Sequence, residues 1–174
     1  MPDMRIYLIG FMGCGKSSLG KRLARKLEFA FHDTDHEIER ETGKSVWELF
    51  RDEGELAFRE RERDVLRRTA DMEKVVVATG GGTPCFFDNM EFILAHGISV
   101  YLRMSVSSLV HRLENARVKR PLLQDLEGES LFAEISERVA EREPWYMKAN
   151  CIIKGETAKP DHIISLVFGC DGNA

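Results

Sequence analysis

A chain of 174 residues is long enough for one well-cored domain and too short for two ordinary ones, so a single domain over residues 1–174 is expected. Its formal net charge of -4, from 25 basic against 29 acidic residues, gives no electrostatic reason for a nucleic-acid partner, and none is expected. No apolar run is long enough to span a bilayer, and the opening Met-Pro-Asp-Met-Arg lacks the basic and apolar regions of a secretory signal, so the expectation is a cytoplasmic protein with no membrane partner.

Apolar runs at 4–9, 29–32, 74–78, 97–103 and 149–153 predict buried strands, and the segments between them carry helical spacing with ample charge. Five short strands joined by helical crossovers predict an α/β fold, a mainly parallel sheet covered on both faces with ligands at the carboxyl ends of its strands. The first strand runs straight into residues 10–17, Gly-Phe-Met-Gly-Cys-Gly-Lys-Ser, which match G-x-x-x-x-G-K-[ST]. The glycines let backbone N–H groups turn inward around a polyphosphate, and the following helix points its positive end at the anion. Lys16 is placed to reach the β and γ oxygens, and the Ser17 hydroxyl to ligate Mg²⁺. The amphipathic run Leu19, Leu23, Leu27 supplies the helix that this loop needs. Cys14 sits inside the loop near a lysine and a helix start, a setting that tends to lower a thiol pKa, although a small residue tolerated there accounts for it as well. The other cysteines, Cys85, Cys151 and Cys170, are widely spaced and form no C-x-x-C pair, which fits reduced thiols.

The second strand ends in Asp33-Thr34-Asp35, two carboxylates beside the phosphate loop in any such sheet. One is expected near the metal and the other beside an acceptor hydroxyl, while a simple helix cap by Asp35 remains the plain alternative. The stretch 36–72 is helical in pattern and longer than one crossover needs, which suggests a substrate-holding subdomain. Within it, at ~100° per residue, Phe58, Val65, Leu66 and Thr69 share one face with Glu62, with Arg59 at its edge. Charges on an apolar face must be paired, so Arg59 and Glu62 are expected to form an ion pair that aims the guanidinium into a cavity, or else a purely structural pair. After the third strand, Thr79-Gly80-Gly81-Gly82-Thr83-Pro84 holds three consecutive glycines; close backbone approach to a ligand explains all three, a tight turn only one or two. Residues 115–128 read as a basic loop breaking two helices, a mobile lid that carries Arg120. Arg112, Arg117 and Lys119 nearby also read as ordinary surface charges. In the late helix, Phe132, Ile135, Val139, Arg142 and Tyr146 step by three and four residues, putting Arg142 on an apolar stripe, with Pro144 expected to interrupt the helix. Arginines at buried or mobile positions beyond the needs of a triphosphate suggest an anionic second substrate, gripped by guanidinium–carboxylate contacts.

The phosphate loop followed in order by Asp33-Thr34-Asp35, Phe58-Arg59, Gly80-Gly81-Gly82, Arg120-Pro121-Leu122-Leu123 and Arg142 with Tyr146 resembles the shikimate kinase family over essentially the whole chain. The resemblance implies a three-layer α/β/α P-loop kinase, a lid spanning 112–128, and transfer of the ATP γ-phosphoryl to the 3-hydroxyl of shikimate in chorismate and aromatic amino-acid biosynthesis. It implies Gly13, Cys14, Gly15, Lys16, Ser17, Ser18, Arg112 and Arg120 for the nucleotide, with Arg112 near adenine and Arg120 bridging γ-phosphate and acceptor. Asp35, Arg59, Gly80, Gly81, Gly82 and Arg142 would hold shikimate against an apolar wall of Phe50 and Phe58. Ser17 and Asp33 would serve Mg²⁺, and Asp35, Lys16 and Arg120 the chemistry. Alternatives are a gluconate or nucleoside monophosphate kinase and a catalytically silent nucleotide-binding module. With no exposed apolar surface evident for an obligate partner, a monomer is expected.

Overall fold

The computed structural model describes residues 4–115 and 126–169. Its sheet takes the order β2-β3-β1-β4-β5, from β1 (Arg5–Ile9), β2 (Ala30–Asp33), β3 (Val75–Ala78), β4 (Ile98–Arg103) and β5 (Cys151–Lys154). All four pairings are parallel, so every crossover is helical and every strand ends at the same edge. The helices are α1 (Lys16–Leu27), α2 (Thr34–Thr42), α3 (Val46–Glu53), α4 (Glu55–Arg68), α5 (Asn89–His96), α6 (Val106–Glu114), α7 (Gly128–Tyr146) and α8 (Pro160–Phe168).

Side chains alternate across a strand, and β1 shows the result on both faces. Ile6 and Leu8 join Val76, Val100 and Leu102 in a core closed by Leu19 and Leu23 of α1, Ile135 of α7 and Ile163 of α8. Tyr7 and Ile9 point the other way, into a core with Val75, Val77 and Tyr101 that is closed by Leu66 of α4, Met90 and Ile93 of α5, and Tyr146. The expected three layers follow from burial on both faces.

The segment 36–72 contains most of three helices, α2, α3 and α4, which share a small core of their own: Ile38, Leu49, Phe58 and Val65, with Val46 and Phe50 packed against it. Ser45 and Glu48 start α3 with a reciprocal capping box. At the second strand the structure departs from the cap alternative: α2 begins at Thr34, and the Asp33 carboxylate caps it by accepting from the His36 backbone N–H at 3.2 Å. Asp35 is thereby left in the first turn.

Three further differences concern the late helix and the strand behind it. Phe132 is 45% exposed, because the buried stripe of α7 begins one residue earlier, at Leu131, and runs through Ile135 to Arg142 and Tyr146. Pro144 does not interrupt α7, which continues to Tyr146. The last strand starts at Cys151 rather than 149, since the Ala149 N–H is used in a turn to the Tyr146 carbonyl.

The end of β5 is tied to the start of α6. The Ser105 backbone N–H donates to Glu156 Oε1 at 2.9 Å, and this bond lowers the Glu156 pKa from its ordinary 4.5 to about 2. A carboxyl depressed by folding stabilises the fold at pH above its unfolded value, and the contribution is lost as pH falls through the folded one. Glu156→Gln is expected to lower Tm by about 2–4 °C near neutral pH, with the gap to the parent closing as pH drops toward 2. Calorimetry across that range checks it; a gap independent of pH would contradict the assignment.

Candidate active site

The phosphate loop takes its shape from three glycines in the left-handed region, Gly10 (φ 140°), Gly13 (φ 80°) and Gly15 (φ 95°), a conformation costly for any residue with a Cβ. Helix α1 opens directly behind it with no side-chain cap and no acidic residue in its first turn, whereas α2, α3 and α4 open with Asp35, Glu48 and Glu55. Its first N–H groups are therefore left to an anion. Lys16 is buried, and its ammonium folds back onto the loop, donating to the carbonyls of Gly10 (2.7 Å) and Phe11 (2.9 Å). The Cys14 thiol is also buried, with its sulfur 3.7 Å from Lys16 Nζ. Ser17 is exposed and donates its hydroxyl proton to Asp33 Oδ2 at 2.5 Å. Arg112 approaches the loop from α6, with Nη1 3.5 Å from the Gly13 carbonyl.

A second, adjoining pocket is lined by Asp35, Arg59, Glu62, the three glycines and Arg142, with Met12, Val46, Phe50 and Phe58 as its apolar wall. Arg59 and Glu62 pair as expected: Nη1 meets Oε2 at 2.9 Å, with both residues buried. Glu55, not expected from the pattern, takes the other edge of the guanidinium through Nε (3.2 Å) and Nη2 (2.9 Å). Thr83 donates to Glu62 Oε1 at 2.6 Å and completes the network. The faces of the Arg59 guanidinium are covered by Phe50, Phe58 and Phe86, with ring centroids 5.5, 5.4 and 4.2 Å from Cζ. Burial is the largest influence and opposes the Arg59 charge, but the Glu62 and Glu55 carboxylates together outweigh it, and the guanidinium pKa is held above its ordinary value.

The three glycines are needed for a reason visible in the protein itself. A Cβ at Gly80 would lie 2.2 Å from Glu62 Oε1, one at Gly81 would lie 2.9 Å from the Met12 nitrogen, and one at Gly82 would lie 2.5 Å from Arg59 Nη1. The Thr79–Thr83 turn is thus pressed between the Arg59 network and the phosphate loop. Across the pocket, Arg142 is buried with its Cζ 5.3 Å from the Phe11 ring centroid, and its Nη1 has no hydrogen-bond partner among the described residues. A buried guanidinium N–H left open is costly unless a ligand answers it.

The family model described as shikimate kinase matches residues 12–168. A curated shikimate kinase of Parabacteroides distasonis is 46% identical over 152 residues, which is 87% of this chain and 88% of that protein. The chain belongs to the shikimate kinase family. Among solved structures, a shikimate kinase of Bacteroides thetaiotaomicron superposes with a TM-score of 0.85 at 42% identity, covering 97% of this chain and 96% of that one. A shikimate kinase of Acinetobacter baumannii, solved in complex with shikimate, gives 0.87 at 35% identity, covering 98% and 96%.

Most of the residues expected at the site come together around two adjoining pockets. Arg120, Arg117 and Lys119 lie at 116–125, outside the described residues, and of the expected lid only 112–115 and 126–128 are described. Sequence reasoning missed the loop Gly155–Lys159 behind β5, which with Arg22, Ser18, Gly15 and Arg112 lines the space beside the phosphate loop. Its place at the carboxyl end of a parallel strand was the available signal. Gly82→Ala is expected to displace the Arg59 guanidinium and cut acceptor-dependent turnover by about 10²-fold, with nucleotide affinity retained. Steady-state kinetics beside nucleotide titration checks this, and unchanged turnover would contradict it.

Proposed function

We propose that the chain carries out its family's reaction, transfer of the ATP γ-phosphoryl to the 3-hydroxyl of shikimate to give shikimate 3-phosphate and ADP, with the labour divided between the two pockets. The single observation that carries this reading is the convergence of Arg59, Arg142 and Asp35 on one pocket that touches the phosphate loop at Met12. Two buried guanidinium groups suit one small carboxylate, and a carboxylate beside them suits a hydroxyl. A gluconate kinase would share the hydroxyl but gives no reason for this arginine pair, and a silent module none for keeping Lys16, Ser17, Asp33 and Asp35 together.

ATP binds with its phosphates in the loop from Gly13 to Ser18, while Arg112 faces the base from the adjoining pocket. Lys16 leaves the Gly10 and Phe11 carbonyls to reach the β and γ oxygens. The shikimate carboxylate is held by Arg59 and Arg142, its hydroxyls by the Gly80–Gly82 backbone and Asp35, and its ring lies on Phe50 and Phe58. The acceptor oxygen attacks the γ-phosphorus in line as the bond to the β–γ bridging oxygen breaks, and Asp35 takes the hydroxyl proton. Most of the rate comes from positioning and from cations that offset charge on the transferring group, since the transition state is largely dissociative. Arg120 adds to that charge from the lid over 112–128, and the helices of 36–72 serve as the subdomain that holds the acceptor.

Ser17 and Asp33 offer an alcohol and a carboxylate oxygen, 2.5 Å apart, where the phosphates would lie. Hard oxygens in so small a number fit Mg²⁺, which takes most of its ligands from water and phosphate; no group of three or more His, Cys, Asp or Glu able to hold a metal occurs among the described residues. When bound, Mg²⁺ would neutralise charge on the β and γ phosphates. No helix among the described residues is long and apolar enough to cross a membrane. The reading is a cytoplasmic monomer that needs no nucleic-acid or membrane partner.

Turnover, followed as ADP release with shikimate, quinate, gluconate or AMP as acceptor, is expected with shikimate alone and lost with EDTA; activity on AMP or gluconate in its place would overturn the reading. Lys16→Ala should abolish transfer with the circular dichroism spectrum unchanged. Asp35→Asn is expected to lower kcat by about 10²–10⁴-fold if the carboxylate takes the proton. A kcat equal to the parent's would show that Asp35 does not.

A further inference from the structure

Tyr146 lies one turn beyond Arg142 on α7, and its side chain is fully buried. Its hydroxyl donates to the Gly81 carbonyl at 2.5 Å. A carbonyl oxygen only accepts, so the tyrosine must be the donor. Burial raises its pKa well above the ordinary value, which keeps that proton in place across the neutral range. Gly81 in turn faces the phosphate loop, where a Cβ would lie 2.9 Å from the Met12 nitrogen and 3.5 Å from the Phe11 carbonyl carbon. Phe11 is also the ring against which Arg142 rests. The end of α7, the glycine turn and the phosphate loop therefore meet at Gly81.

The last turn of α7 needs external support, because Pro144 has no N–H to return to the Ala140 carbonyl. That support comes from β4. The Tyr101 hydroxyl donates to Glu143 Oε2 at 2.8 Å, Arg103 Nε lies 2.9 Å from Glu143 Oε1, and the Tyr101 ring packs against the Tyr146 ring at 5.0 Å between centroids. Held in this way, Tyr146 is anchored to the sheet at its ring and to the acceptor cradle at its hydroxyl.

Resting on the kinase reading above, we propose that Tyr146 is a positioning residue for the acceptor: its hydroxyl sets the Gly81 peptide, and through it Gly82 and Arg59, in register with the phosphate loop. It touches neither substrate in this account. Without the hydroxyl the Gly81 carbonyl loses its donor, and the turn against which the Arg59 guanidinium is pressed can rotate.

Tyr146→Phe keeps the ring and removes the hydroxyl, and with it this bond and the contact the hydroxyl makes with the Arg142 side chain. Tyr7→Phe is the matched control, since Tyr7 is equally buried in the same core and its hydroxyl bonds Thr69 Oγ1 at 2.8 Å, away from the acceptor pocket. Both variants are expected to fold and to melt somewhat lower. Tyr146→Phe alone should raise KM for shikimate by about tenfold, with KM for ATP within about twofold of the parent, a loss in line with one buried hydrogen bond. An unchanged shikimate KM in Tyr146→Phe would overturn the proposal, as would an equal rise in Tyr7→Phe, which would mark general loosening. The parent protein run in parallel separates the two levels: its failure to phosphorylate shikimate would remove the kinase reading and this inference with it.

Discussion

A guanidinium taken out of water must be answered on every side, and Arg59 dictates much of what surrounds it. Burying one partner of an ion pair alone costs about 3–5 kcal/mol, whereas exposed pairs such as Arg40 with Glu37 contribute about 0–1 kcal/mol. Arg59 is accordingly the charge around which the sequence is constrained. Glu62 and Glu55 neutralise it, three aromatic rings cover its faces, and Gly82 is a glycine because the guanidinium occupies the space of a side chain. The pair is better understood as fixing the direction of a cation than as adding stability. Its net worth against an apolar replacement is small in such settings, but a cation rigidly aimed into a pocket is what recognition of a carboxylate needs.

The same economy governs the sheet. Because all strands run parallel, their carboxyl ends deliver the phosphate loop, the Asp33–Asp35 turn, the Thr79–Thr83 turn and the loop behind β5 to one edge. Side-chain hydrogen bonds then tie these loops to one another and to α4. Ser17 bonds Asp33, Thr34 accepts from the Gly80 N–H at 3.0 Å, and Thr83 bonds Glu62. A change in one loop is therefore felt in its neighbour, which is how the phosphate loop and the pocket around Arg59 can be held in register.

The architecture was legible in the sequence because burial on both faces writes the central strands as largely apolar runs, unbroken in Val75–Ala78, and because the phosphate loop needs glycines at fixed positions. The Arg59–Glu62 pair was legible from helical period alone, since the two lie three residues apart on one face. Glu55 and Thr83 were not: Glu55 lies on the more exposed side of α4, and Thr83 is 21 positions away, so only the folded chain brings it in. Phe132 misled for a related reason. It continues the three-and-four spacing of α7, but the helix turns that position outward and buries Leu131 in its place. The slip at the fifth strand came from Ala149, apolar in sequence yet committed to a turn, with Asn150 bonding back to Ser99.

The central claim is that two fixed guanidinium groups read one carboxylate. Calorimetric titration of the protein with shikimate and with its uncharged methyl ester tests it most directly, because the two ligands share ring and hydroxyls and differ in charge. Loss of charge-assisted hydrogen bonds to buried arginines should weaken the ester by about 10²-fold. Equal affinity for the two would contradict the account and leave Arg59 and Arg142 as structural charges.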